Sequence, residues 1–327
     1  MMMPASSNTK RRHVVSHTTF RGFFLFSAAV VATAYLYFVV KLFDNNQPTN
    51  DVIVTDARTE TAPQLAVKTQ PPAFVYNCLT NKPIRPVSLH QSNKYTVDNG
   101  LLRSKLENDE SRAASFAKIY KEKTWGGGEM VNGTHFGGSG PGSLMSSTIQ
   151  VRKTLDAVIE RVKSELGKER ITLLDLPCGD VVWMKNYLQQ RHDIDYTGMD
   201  IVPSLVAAHS QAYTQKHSWK CKQHDIAKDP LDEKYDLIFS RQMTQHLGTE
   251  DTMRVLDHFS DGASYLLISN YPKVKSNKGL NTKTPHRFRQ QNFNTLPYSL
   301  TDPICEDEEA GQCMNYLYKL PLRQWQQ

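Results

Sequence analysis

The sequence predicts a doubly wound α/β domain, and three observations predict it. Beyond residue 147, short apolar runs of strand character alternate with stretches of helical periodicity. Those runs end in glycine-containing or acidic turns, where ligands bind in open parallel sheets. The composition, 39% hydrophobic and 22% charged, supports a packed core rather than disorder.

Taken in order, the fold is expected to begin around Leu106–Tyr120, where Phe116, Ile119 and Tyr120 share one helical face. Val151, Leu155, Val158, Ile159, Val162 and Leu166 recur at helical spacing, and Gly167 can end that helix. Ile171–Leu176 reads as a short buried strand, broken at Pro177-Cys178-Gly179-Asp180 and followed by a helix to about Gln190. Tyr196–Asp200 is the next strand. Pro203 suits the first turn of the helix after it, where no N–H partner is needed. Trp219–Gln223 and Tyr235–Ser240 are the third and fourth strands, Glu250–Phe259 a helix, and Ser264–Ser269 the fifth strand. After residue 290 the pattern changes: Phe293–Leu300 and Met314–Leu320 read as a closing hairpin at the sheet edge.

The amino-terminal part has a different character. Gly22–Val40 carries no charge and has about the 20 residues that a membrane-crossing helix needs. Lys10, Arg11, Arg12 and Arg21 precede it, so the positive-inside rule predicts a cytosolic tail and a luminal remainder. The predicted organisation is a tail at 1–21, a signal anchor at 22–43, a stem at 44–105 and a catalytic domain at 106–327. Within the stem, Asp44–Gln70 lacks periodic apolar runs and reads as poorly ordered, whereas Ala73–Leu79 is apolar enough to dock on the domain. A cleaved signal peptide is the alternative, with Ala32-Thr33-Ala34 as its cleavage site, but the apolar run continues through Val40. Either way the carboxy-terminal part reaches the secretory lumen, where the sequon Asn132-Gly133-Thr134 would be open to glycosylation.

The net charge of +6 is scattered, with no arginine-rich arm, so nucleic acid is not an expected partner. None of the five cysteines forms a Cys-x-x-Cys pair, and no metal site is expected. Cys305 and Cys313 either form a local disulfide in an oxidising lumen or remain free thiols.

The chemistry concentrates at the strand ends. In Asp175-Leu176-Pro177-Cys178-Gly179, a cofactor must approach the backbone closely, which Gly179 permits. Asp200, with Ile201 after it, ends the next strand 21 residues beyond Gly179, where a carboxylate can accept both hydroxyls of a ribose. Asp225, after the third strand, can accept the exocyclic amine of adenine, with Ile226 against the ring. This ordered set, with Tyr235–Ser240, resembles the motifs of class I S-adenosylmethionine-dependent methyltransferases. The resemblance covers about Phe116 to the carboxy terminus and implies a seven-stranded, mostly parallel sheet whose last strand is antiparallel. Pro177 and Cys178 depart from the family's usual Gly-x-Gly turn, and the turn is not a nicotinamide fingerprint either. Upstream, Trp125 and the loop Gly138-Ser139-Gly140-Pro141-Gly142-Ser143 resemble a segment that closes over the methionine end of the cofactor in some of these enzymes. Trp125 can offer a π face to a sulfonium cation.

The fourth strand leads into Ser240-Arg241-Gln242-Met243-Thr244-Gln245-His246, which in this family faces the transferred methyl. An imidazole, with an ordinary pKa of about 6.5, can take up the proton of a hydroxyl acceptor. His246 is the candidate base, and Arg241 and Gln242 are candidate acceptor ligands. The basic run from Lys273 to Arg289 lines an acceptor site or is a solvated loop. Tail, anchor, stem and luminal enzyme together resemble the layout of Golgi glycosyltransferases. The expected activity is O-methylation of glycan hydroxyls, as in invertebrate Golgi glycan O-methyltransferases. The alternatives are a small-molecule, lipid or protein acceptor, or a non-catalytic cofactor-binding module.

Overall fold

The computed structural model describes residues 73–87, 109–126, 130–131, 134–135, 138–277 and 288–322. The apolar run Gly22–Val40, Asn132 of the sequon, and Lys278, Lys283, His286 and Arg287 of the basic run lie outside these residues. Among the described residues no helix is long and apolar enough to cross a membrane.

The alternation read from the sequence is present. In chain order the main elements are β1 (Phe74–Asn77), β2 (Pro83–Pro86), α1 (Asp109–Glu122), α2 (Ile149–Leu166) and β3 (Ile171–Asp175). They continue with α3 (Met184–Leu188), β4 (Ile194–Asp200), α4 (Pro203–His209), β5 (Lys220–Gln223) and β6 (Tyr235–Ser240). The last are α5 (Thr249–Gly262), β7 (Ala263–Asn270), β8 (Cys305–Ala310) and β9 (Cys313–Lys319). One sheet holds the strands in the order β2-β1-β8-β9-β7-β6-β3-β4-β5. From β7 to β5 all neighbours are parallel, and β9 enters antiparallel between β7 and β8. The stretch from β8 to β5 is the seven-stranded Rossmann-like sheet expected from the sequence, antiparallel strand included.

Helices cover both faces. Leu173, Phe239 and Leu267 pack with Val151, Leu155 and Ile159 of α2 on one face. Leu174, Ile238 and Leu266 pack with Val255, Leu256 and Phe259 of α5 on the other. Successive strand residues point to opposite faces, so β3 and β6 need apolar side chains throughout rather than in alternation. Gly167 ends α2 in the left-handed region at φ 64°, its N–H turned back to the carbonyls of Lys163 and Ser164.

Four expectations are corrected. Phe293–Leu300 is not a strand: Phe293, Tyr298 and Leu300 bury their side chains in the α5-side core from an irregular loop. Pro297 lacks the N–H a ladder requires there. The first strand of the hairpin is instead β8, Cys-Glu-Asp-Glu-Glu-Ala, a composition poor in strand formers. Its buried acids are individually partnered. Arg85 pairs with Glu306, Thr154 and Gln150 donate to Asp307, and Arg241 pairs with Glu309. The helix expected to run to Gln190 is limited to the short α3. The stem assigned to 44–105 contributes two strands to the sheet, because β1 lies parallel to β8 and satisfies its outer edge. Cys305 is bonded to Cys78 of that added hairpin, with Cα atoms 5.0 Å apart, while Cys313 is a buried free thiol.

Candidate active site

Parallel strands end together, and the turns after β3, β4, β5 and β6 surround a cavity of about 450 Å³. All the sequence-selected residues line it: Trp125, Ser139, Gly140, Asp175, Gly179, Asp200, Ile201, Asp225, Ile226, Arg241, Gln242 and His246.

The turn after β3 is the tightest part. Gly179 has φ +56°, and a Cβ there would lie 2.6 Å from Ser139 Oγ. A side chain would therefore be both strained and in collision. The neighbouring Val181 also has a positive φ, 47°, unusual for a β-branched residue. The Ser139 loop is clipped to this turn: the Ser139 N–H donates to Asp180 Oδ2 at 3.0 Å, and the Asp180 N–H donates to Ser139 Oγ at 3.0 Å. Tyr120 of α1 adds a hydrogen bond between its hydroxyl and Ser139 Oγ at 2.9 Å.

Two buried carboxylates sit beneath. Asp200 accepts the N–H groups of Gly179 and Val202, each at 3.0 Å, which fixes its orientation. Burial pushes its pKa up to about 6 against the pull of these backbone donors. Asp175 accepts the Tyr196 hydroxyl at 2.9 Å, and burial raises its pKa to about 8. Asp225 accepts the Ala227 N–H at 3.1 Å and an Arg112 guanidinium nitrogen at 3.3 Å, so the loop after β5 is tied to α1.

At the other end, His246 lies on a short helical turn, Thr244–His246. Its ring is 4.8 Å from that of Trp125, tilted by 35°. Phe288 meets the His246 ring at 5.7 Å and Phe116 meets it at 6.4 Å. Buried Gln291 holds this turn, its amide donating to the carbonyls of Thr244 at 2.6 Å and Leu247 at 3.1 Å. Arg241 donates twice to Glu309 Oε1, at 2.8 and 2.5 Å, and once to the Gly142 carbonyl at 3.0 Å. The Gln242 amide turns toward the sheet, with Nε2 3.0 Å from Cys313 Sγ and Oε1 accepting the Tyr271 hydroxyl at 2.8 Å. Both candidate acceptor ligands are thus already committed to protein partners.

Arg112, Asp180, Phe288, Gln291 and Glu309 were not singled out from the sequence. Asp180 had a local signal, since it adjoins Gly179. The others reach the site from distant elements, with no spacing to mark them.

These residues fit an adenosine cofactor. The backbone at Gly179 is open only because a Cβ is absent, and the Asp200 carboxylate has lone pairs left for hydroxyl donors. Residues 174–263 match the family model described as a methyltransferase domain. No curated protein matches the chain. Among solved structures it resembles TehB from Haemophilus influenzae, at 18% identity and TM-score 0.37, over 50% of this chain and 62% of that one. It also resembles the magnesium protoporphyrin IX methyltransferase ChlM from Synechocystis PCC 6803 with bound cofactor, at 15% identity and TM-score 0.43, over 67% of this chain and 99% of that one. A third is DhpI in complex with S-adenosylhomocysteine, at 12% identity and TM-score 0.44, over 67% of this chain and 100% of that one. The matched stretch supplies Asp175, Gly179, Asp200 and Asp225 to the cavity, and we conclude that residues 174–263 belong to a methyltransferase domain of Rossmann-like fold whose cavity fits an S-adenosylmethionine cofactor.

Proposed function

We propose that this enzyme methylates sugar hydroxyls of glycans in the Golgi lumen, held there as a single-pass type II membrane protein by Gly22–Val40. The observation that carries the compartment is the Cys78–Cys305 disulfide, which joins residues 227 apart in the sequence. Such bonds persist in oxidising compartments and are rare in the cytosol. The apolar run behind its basic tail supports the same topology. Glycans are the abundant hydroxyl acceptors of that compartment.

When bound, S-adenosylmethionine supplies a methyl group made electrophilic by its sulfonium. Asp200 would accept the ribose hydroxyls and Asp225 the adenine amine, with Ile201 and Ile226 as apolar walls and Trp125 offering its π face. Ser139 and Gly140 close the methionine side. The chain's own work is then alignment, water exclusion and proton uptake. His246 takes the acceptor's hydroxyl proton on a ring nitrogen. Gln291 fixes the backbone on both sides of it, and Arg241, held by Glu309, shapes the wall beside it.

The test uses the full chain in detergent with methyl-labelled S-adenosylmethionine and a panel of released glycans. Label should appear on a sugar and vanish with Asp200→Ala and His246→Ala. Transfer confined to lipids, proteins or small molecules would overturn the glycan assignment.

A further inference from the structure

We propose that the acceptor end of the cavity selects an uncharged ring, seated against Phe288, and rejects anionic acceptors; this rests on the methyl-transfer reading above. The first reason is charge. Among the described residues the cavity lining contains two arginines and no lysine. Each arginine is matched by carboxylates within the protein. Arg112 lies 3.3 Å from Asp225 and 3.7 Å from Asp251, while Arg241 lies 2.5 Å from Glu309, whose side chain is only 3% exposed. A guanidinium held this way presents no net charge to a ligand. The same lining contributes Asp180 and Asp200 besides the Asp225 already paired with Arg112, so an acceptor carboxylate or sulfate would meet no unpaired arginine or lysine among the described residues of the lining.

The second reason is shape. Phe288 is 48% exposed although it lines the cavity and touches His246 at 5.7 Å and Tyr271 at 5.9 Å. An aromatic face left open at a cavity rim binds the apolar face of a ring. A neutral pyranose offers such a C–H face, with hydroxyls at its edge for His246. Glu309 is the specificity-determining residue, because it cancels Arg241, the arginine that lines the cavity from the same loop as His246.

The experiment compares matched acceptors that differ by one charge: methyl glucoside with methyl glucuronide, methyl galactoside with methyl galacturonide, and methyl 4-hydroxybenzoate with 4-hydroxybenzoate. Binding to the full-length enzyme loaded with S-adenosylhomocysteine is measured by calorimetry, beside methyl transfer. The neutral member of an accepted pair should bind at least about tenfold more tightly. Glu309→Gln should narrow that ratio by freeing Arg241. Phe288→Ala should weaken acceptor binding and leave cofactor affinity unchanged. Equal or preferred binding of the anionic members overturns the proposal, as does a Glu309→Gln enzyme that folds and keeps the wild-type ratio. If Glu309→Gln does not fold, the wild-type ratios decide alone. Charge selection seen only in the phenolic pair overturns the glycan assignment and the pyranose part of this proposal but keeps the charge rule. Binding of no pair overturns both.

Discussion

Ser139 and Asp180, 41 residues apart, hold each other by two reciprocal hydrogen bonds, each from a backbone N–H to the partner's side chain. The clip joins the glycine-rich loop before α2 to the turn after β3, and so defines one wall of the cavity. Ser139→Ala and Asp180→Ala should each weaken cofactor binding, and the double variant should lose less than the sum. A coupling of about 1–2 kcal/mol is expected from a double-mutant cycle read by calorimetry. Additive losses would mean that the two residues act separately.

Gly179 admits no side chain. Gly179→Ala should abolish measurable cofactor binding, since the added Cβ meets Ser139 Oγ at 2.6 Å from a backbone at φ +56°. It should also cost about 1–3 kcal/mol of stability. A denaturant titration with and without S-adenosylhomocysteine measures both. Normal affinity in the variant would show that the turn is not the cofactor's contact.

The buried acids set a pH dependence with a definite sign. Burial raises Asp200 to about 6 and Asp175 to about 8, so ionising either costs stability. That cost is absent below the ordinary carboxylate range and complete above the folded pKa. The unloaded protein should therefore be about 1–3 kcal/mol more stable at pH 6 than at pH 8. Cofactor affinity should move the other way, falling below about pH 6 as Asp200 gains a proton and loses lone pairs for hydroxyl donors. Urea midpoints and affinities across this range check both slopes.

Peptide mapping without reduction should recover Cys78 joined to Cys305, with Cys313 alkylatable only after unfolding. Cys78→Ser should cost roughly 3–5 kcal/mol, because the bond closes a long loop of the unfolded chain. A recovered Cys305–Cys313 peptide would contradict the strand arrangement at this edge.

The sequence was most informative where burial dictates composition. β3, β6 and β7 are enclosed by helices on both faces, so their residues had to be apolar and their boundaries showed as such. The strand-end carboxylates were legible because parallel strands bring their carboxyl ends together, whatever the intervening helices contain. β8 was not legible: its buried acids are stabilised by Arg85, Thr154, Gln150, Asn77 and Arg241, partners distant in sequence. For the same reason Arg112, Glu309 and Gln291 carried no mark. The sequence by itself therefore determined the fold class, the cofactor turn and the acids around it, since these follow from local periodicity and strand direction. Only the tertiary structure decided that the hairpin at 73–87 belongs to the sheet, that Cys78 is the partner of Cys305, and that Arg241 is neutralised by Glu309. Those are pairings between remote segments, and local periodicity carries no information about which remote groups will meet.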